Sequence, residues 1–498
     1  MPATVTLSLV SHTNVGKTTL ARTLLLADVG EVRDAPHVTE FADGHELIES
    51  VQGDRLRLWD TPGFGDSARL AARLEGRTNP IGWFMAEVWD RWRDRPLWAS
   101  QQALRHVQGE SDVLLYLVNA ADTPSAQGYV AAEMRLLAWV GKPVIVLLNQ
   151  LGAPRAPTDE AAEVDAWRDA LAAWPLVQAV LPLDAFARCW VHESTLLNAV
   201  QRALVGSDRP GGADKAAAMA RLAAAWHARR EATFDAAVAE LAHSVARAAL
   251  AREAVDEGAS GLIGQAWRQI GQTLRAKRGE GDEDHSPAAR AQQALATVLA
   301  AEVQASTTRL VQLHGLAGAV QAEVLTRVAG LFETTHKLPE AKAALVGGAV
   351  TGALAGLKAD IASGGLTLGG GMLVGAVLGA IGAAGVARGI NVVRGTDRSW
   401  VTLGDEALHA FTEAALLRYL AVAHFGRGRG DWVAGEAPPH WAGAVRDALA
   451  PERAALAAAW ADRSTAVDAL ATALKAPMHR AATGLLRRLY PQAHNPNS

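Results

Sequence analysis

An α/β domain built on a mostly parallel, doubly wound sheet, followed by a mainly α-helical region, is the fold class this sequence predicts. Three observations predict it. An apolar run, Val5, Leu7, Leu9 and Val10, stops at the polar loop Ser11–Thr19, and a helical pattern follows at once; that order is strand, loop, helix. Apolar runs at Val113–Val118 and Val144–Leu148 are separated by helical spacing over Ala131–Val140, the alternation that parallel sheets with crossover helices produce. Past residue 205 the chain becomes alanine-rich, with glycine concentrated at 347–395, and helical periodicity takes over.

Taken in order, Ser11-His12-Thr13-Asn14-Val15-Gly16-Lys17-Thr18 fits G-x-x-x-x-G-K-[ST] except at its first position, where Ser11 stands for glycine. Gly16 lets the backbone approach a phosphate, and the amides that follow form an anion nest at a helix N-terminus. Lys17 brings a point charge to the β/γ-phosphates, and the Thr18 hydroxyl is a Mg²⁺ ligand. The polar segment Asp34–Phe41 contains Thr39, placed where a switch threonine completes the Mg²⁺ shell; His37 beside it reads as a solvated loop residue. Glu46–Glu49 and Arg55–Trp59 flank Gln52-Gly53-Asp54 as a β-hairpin. The second of these strands ends in Asp60-Thr61-Pro62-Gly63, an acidic residue at a strand's carboxyl end as a metal site requires. A last strand, Val177–Leu183, runs into Asp184-Ala185-Phe186. These parts together predict a phosphate-binding nucleotide site.

The chain's 498 residues exceed one core and predict two or three domains. A net charge of -4 gives no electrostatic case for nucleic acid. The lone Cys189 excludes an intramolecular disulfide framework, fits a reducing cytoplasm, and is expected to be a small buried residue. The N-terminus has no basic region before its first strand, so no secretory signal is expected.

Ser11–Thr19, Asp60–Gly63 and Lys142–Asn149 together resemble a translation-factor-class P-loop GTPase of the Era/TrmE/EngA-like superfamily, over roughly residues 1–205. That resemblance implies GTP and GDP as ligands, Mg²⁺ as cofactor and γ-phosphoryl hydrolysis. The nucleotide would lie against Asn14, Val15, Gly16, Lys17, Thr18, Thr19, Asp60 and Gly63, with Asn149, Gln150, Asp184 and Ala185 toward the base. Lys17, Asn14, Thr39 and Gly63 would serve the reaction; Thr18, Thr39 and Asp60 would hold Mg²⁺, and Asn14 would hold K⁺. Phe64 stands where Ras-like proteins place a water-positioning glutamine, which implies slow basal turnover. The chain departs from the family at the base-recognition box: Asn149-Gln150-Leu151-Gly152 replaces Asn-Lys-x-Asp, and Gly152 has no carboxylate. Asp184 is either a displaced substitute or a plain loop aspartate, and acceptance of ATP stays open. The remaining chain resembles an uncharacterised glycine-rich helical family that accompanies some bacterial GTPases.

Residues 64–110 form a long second-switch insertion. Within it Phe84, Val88 and Trp92 recur at helical spacing beside Met85 and Trp89, an aromatic stripe suited either to the domain's own core or to a protein partner. Pro96 is read as a break before Trp98.

Composition marks 206–214 as a linker, 215–340 as helical, 341–395 as a glycine-rich hairpin, 396–485 as helical again and 486–498 as a flexible tail. Phe234, Val238, Leu241 and Val245 repeat at helical spacing, as do Leu310, Leu313, Ala317, Val320 and Val324. Further helices are expected in Leu403–Leu420 and Trp441–Leu474, with charged or glycine-rich connectors at Lys277–Asp284 and Gly426–Asp431. Gly348, Gly352 and Gly356, and again Gly371, Gly375 and Gly379, are spaced by four. On helices each set makes a groove for close backbone approach, a glycine zipper. Ile361–Val386 carries no charge and is long enough to span a bilayer. A buried hairpin, insertion into or reversible docking on an inner membrane through 345–393, and a homodimer interface all remain open readings.

Overall fold

The computed structural model of the chain describes residues 2–25, 43–75, 78–79, 82–83, 95–152, 157–184, 189–206, 211–255, 287–316, 390–394, 399–424 and 438–491. The chain divides into two compact units, Met1–Thr233 with Ala423–Trp432 and Leu489–Ser498, and Phe234–Val422 with Val433–Arg488.

The first unit is built on a six-stranded sheet. Its strands are β1 (Thr4–Ser11), β2 (Asp43–Glu49), β3 (Arg55–Asp60), β4 (Val113–Asn119), β5 (Val144–Asn149) and β6 (Val177–Pro182), in the order β2-β3-β1-β4-β5-β6. Every pairing is parallel except β2 with β3. The helices between are α1 (Lys17–Leu25), α2 (Ser67–Leu74), α3 (Arg95–Glu110), α4 (Tyr129–Val140), α5 (Pro157–Leu171) and α6 (Trp190–Val205). Alternate residues of the central strands enter opposite cores. Leu115, Leu117, Ile145 and Leu147 pack with α1 and α6, while Leu114, Tyr116, Val118, Val144 and Val146 pack with α2 to α5. Burial on both faces is why β4 and β5 read as unbroken apolar runs.

Two expectations change here. Pro96 lies in the first turn of α3, where its missing N–H is no loss, so the sequence continues as a helix rather than breaking. The segment read as a linker contains the start of α7 (Gly212–Leu250). Ala216, Ala218, Met219, Leu222 and Trp226 of α7 belong to the core beneath β1 and β3. The aromatic stripe Phe84–Trp92 lies outside the described residues. Cys189 is buried, as its residue type suggests.

In the second unit, Phe234, Val238, Leu241 and Val245 are buried along the remainder of α7. The other helices are α8 (Pro287–Leu313), α9 (Asp405–Ala423), α10 (Pro439–Leu449), α11 (Arg453–Trp460) and α12 (Val467–Leu489). The apolar repeat through Leu310 does not run on as one helix. Leu316 N–H bonds to Val311 O and Gly315 N–H to Gln312 O, with Gly315 at φ +68°, a Schellman cap that ends α8. A three-stranded antiparallel sheet, absent from the predicted helical region, joins β7 (Arg252–Val255), β8 (Ile390–Arg394) and β9 (Ser399–Leu403) in the order β7-β9-β8. Ile390, Val392 and Val393, assigned above to the glycine-rich hairpin, therefore pair as a strand, and Leu403 closes β9 ahead of the helix. β-Branched residues favour that pleated geometry. The expected tail begins too early, because α12 continues through Leu489, which is buried. The glycine repeats, the connectors at 277–284 and 426–431, and the uncharged run 361–386 lie outside the described residues. Among the described residues no helix is long and apolar enough to cross a membrane.

Candidate nucleotide site

The phosphate loop follows from its backbone. β1 ends at Ser11 and the chain turns through Asn14 at φ +64° and Gly16 at φ +97° before α1 begins at Lys17. A Cβ at Gly16 would stand 2.7 Å from the Asn149 amide nitrogen. Position 16 therefore needs glycine for conformation and for space alike. The buried Lys17 ammonium donates to Ser11 Oγ at 3.0 Å and to the His12 carbonyl at 3.4 Å. Ser11, at the position where the motif has glycine, thus gives the lysine an acceptor, and its own hydroxyl donates to the His12 carbonyl. Burial pushes the Lys17 pKa down, while Asp60 and Glu133 pull it back up.

Thr18 and Asp60 meet on the other side of the loop, where the hydroxyl donates to the carboxylate. A hydroxyl beside a carboxylate is an oxygen donor pair of the kind Mg²⁺ takes. Thr61 Oγ1 donates to the Leu9 carbonyl at 2.6 Å and fixes the end of β3 to β1. Gly63 packs against the loop: a Cβ there would lie 2.9 Å from Thr13 Cα and 3.1 Å from Lys17 Nζ. The Phe64 amide donates to Ser11 O at 2.9 Å and its backbone bridges to His12. Its ring is buried in the core with Leu70, Leu97 and Leu104. At the position expected to face the reacting water, the side chain instead points into the protein. Thr39 and His37 lie outside the described residues.

At the carboxyl end of β5, Asn149 is fully buried and donates from Nδ2 to the Val15 carbonyl at 2.7 Å. This bond ties the base-recognition segment to the phosphate loop. Gln150 and Gly152 have left-handed backbones, φ +62° and +81°, and a Cβ at Gly152 would meet nothing within 4 Å. The buried Asp184 accepts the Leu151 N–H through Oδ2 at 2.6 Å. Asp184 thus holds the loop that carries the base-recognition box. Ala185 lies outside the described residues, while Thr19 is buried on α1 with its neighbours Leu20 and Ala21.

Sequence reasoning missed one group. Glu133 on α4 is fully buried; it accepts from His12 Nδ1 at 2.8 Å and from Tyr116 Oη at 2.7 Å. The His12 ring also stacks on Tyr129, with centroids 4.4 Å apart. Burial and the Glu133 charge push the Tyr129 pKa up to about 12. The only sequence signal was an acid set among apolar residues in Tyr129–Val140.

A parallel sheet carrying a glycine–lysine loop after its first strand, with an aspartate at the end of the strand beside it, defines a P-loop nucleotide-binding domain. Residues 6–150 match the family model described as 50S ribosome-binding GTPase, and this region is a P-loop GTPase domain. None of the curated proteins compared with the chain matches it. Among solved structures, Era in complex with MgGDPNP and nucleotides 1506–1542 of 16S ribosomal RNA is similar at 17% identity and TM-score 0.27, covering 37% of this chain and 52% of that one. A tyrosine-to-alanine variant of Aquifex aeolicus Era bound to GDP.AlF4- is similar at 18% identity and TM-score 0.25, covering 37% of this chain and 52% of that one. The chain thus spans about half the length of these Era chains. A structure of the chloroplast translocon components atToc33 and psToc159, whose dimerization is important for their GTPase activity, is similar at 13% identity and TM-score 0.28. It covers 41% of this chain and 85% of that one.

Proposed function

We propose that this protein binds GTP with Mg²⁺, hydrolyses it to GDP and phosphate, and passes its nucleotide state to its helical unit. The observation that carries the reading is the convergence of the Lys17 ammonium, the Thr18–Asp60 pair and the Gly63 backbone ahead of α1. Lys17 holds the β/γ-phosphates, Thr18 and Asp60 supply oxygen ligands, with Thr39 as the proposed third, and the Gly63 amide faces the γ-phosphate. When bound, Mg²⁺ would supply positive charge against the negative charge that develops on the phosphates as the γ-phosphorus–oxygen bond breaks. Asn14, held in its left-handed conformation, is the proposed ligand of a K⁺ ion that would add further positive charge at the phosphates.

The switch part of the reading rests on α7. The helix is continuous over 39 residues, about 58 Å at 1.5 Å per residue. Its first half is in the core of the nucleotide unit, while Phe234 and the residues after it are buried in the helical unit. Lys215 pairs with Asp112 at 2.6 Å, and Arg230 and Trp226 both donate to the buried Glu193 at 2.7 Å. These bonds hold the first half of α7 to the nucleotide unit.

A second reading, a nucleotide-gated scaffold without useful turnover, is favoured by the Phe64 ring's place in the core. Titration of labelled GTP, ATP and GDP against the purified chain, with and without Mg²⁺, tests the reading. Mg²⁺-dependent binding of GTP tighter than ATP supports it, and no triphosphate binding with Mg²⁺ in excess removes both alternatives.

A further inference from the structure

We propose that His12 is a positioning residue for γ-phosphoryl hydrolysis, held in place by Glu133. The inference rests on the GTPase reading above. His12 is the second residue of the phosphate loop, and each part of it is tied to a different element. Its carbonyl accepts from Lys17, its backbone bridges to Phe64, and its Nδ1 donates to the buried Glu133 of α4. Tyr116 of β4 occupies the second Glu133 oxygen, and Tyr129 covers the imidazole face. The carboxylate is therefore fixed at both oxygens and the ring on its face and edge.

What this fixes is the seam between the phosphate loop and the second switch. Ser11, His12 and Thr13 lie against Gly63 and Phe64, with the Phe64 amide on Ser11 O at 2.9 Å and no room for a Cβ at Gly63 beside Thr13. On the GTPase reading the Gly63 amide meets the γ-phosphate, and the seam that His12 holds sets where that amide lies. On the same reading a diphosphate meets Lys17 but offers nothing to the Gly63 amide. Loss of the anchor is therefore selective for steps involving the γ-phosphate, where small displacements are costly. A loop merely held folded by His12 predicts equal losses for both nucleotides.

The test uses the full chain with His12→Ala, Glu133→Leu and both together. Glu133→Leu keeps the size of the side chain but takes the acceptor from the buried Tyr116 hydroxyl as well as from His12, a destabilising change, so a thermal melt first establishes that this variant is folded. His12→Asn retains an N–H donor at the δ position. The expected result is a fall in kcat of about tenfold or more in each single variant, with the GDP Kd within about twofold of wild type. The double variant is expected to be no worse than either single one, because the two residues act as one unit. His12→Asn is expected to recover most of the lost kcat. Unchanged kcat in both folded single variants overturns the proposal. So does a parallel loss of GDP affinity, or additive losses in the double variant. Should wild type release no phosphate, the hydrolysis reading fails separately. The affinity ratio of a non-hydrolysable GTP analogue to GDP then decides the role of His12: a drop in that ratio supports it and no change overturns it.

Discussion

Arg221 donates from Nε and Nη2 to the two carboxylate oxygens of Asp54, at 2.6 and 2.9 Å. Asp54 sits in the turn between β2 and β3, fully buried, and also accepts from the Ala3 amide and the Ser50 hydroxyl. The pair fastens α7 to one end of β3, whose other end is Asp60. Six residues of strand, about 20 Å, thus separate the α7 anchor from the proposed metal ligand.

The Arg221 hydrogen bonds hold the Asp54 carboxyl well below the usual carboxylate range, against the opposing effect of burial. A carboxyl whose folded pKa is depressed contributes stability fully above its unfolded value, about 4, and loses it as pH falls through the folded value. Arg221→Ala is expected to lower Tm by several degrees at neutral pH. The urea-midpoint difference between wild type and Asp54→Asn should be full near neutrality and shrink below about pH 4. A difference that grows on acidification contradicts the assignment.

Phe64→Gln tests whether the glutamine of Ras-like proteins can simply be restored. Because the ring is buried among Leu70, Leu97 and Leu104, the amide would enter a core instead of meeting water. The expected outcome is destabilisation of about 3 kcal/mol or more, with no faster phosphate release. Accelerated turnover in a stable variant would show that this side chain reaches the site.

Gly63→Ala places a methyl against the Thr13 backbone and the Lys17 ammonium. Displacing the amide proposed to face the γ-phosphate should weaken triphosphate binding about tenfold, the scale of one charge-assisted hydrogen bond. GDP affinity should stay within about twofold. Calorimetric titration of GDP and a GTP analogue checks the selectivity, and equal losses for both would contradict this role for Gly63.

Gly152→Asp restores the carboxylate that the base-recognition box lacks. The position is left-handed but open, since a Cβ meets nothing within 4 Å, and aspartate enters that backbone region more readily than most residues. Competition binding should show the preference for GTP over ATP rising about tenfold or more over wild type. An unchanged ratio means that another group reads the base.

The nucleotide unit was largely legible because its signals are local. β4 and β5 are unbroken apolar runs, and Lys17 and Asp60 each close a strand-to-loop pattern that few other arrangements produce. Glu133 was not legible, since a buried acid looks like any helical glutamate until His12 and Tyr116, distant in sequence, are brought to it. The β8–β9 hairpin was hidden for a different reason: five-residue strands beside a long glycine-rich stretch carry too little periodicity to register. The end of α8 at Gly315 was missed because the apolar spacing continues through the cap to residues beyond it. Composition also misled at Gly212, where a glycine-rich boundary opens a helix instead of a linker.

Multiple-turnover release of phosphate from GTP with Mg²⁺, measured for wild type and Lys17→Ala side by side, tests the central claim most directly. The account predicts slow release that continues past one phosphate per chain in wild type, and a fall in kcat/KM of about tenfold to a hundredfold in Lys17→Ala, which loses a charged contact to the phosphates. Equal rates in the two proteins, or release that stops at a single turnover, would contradict it.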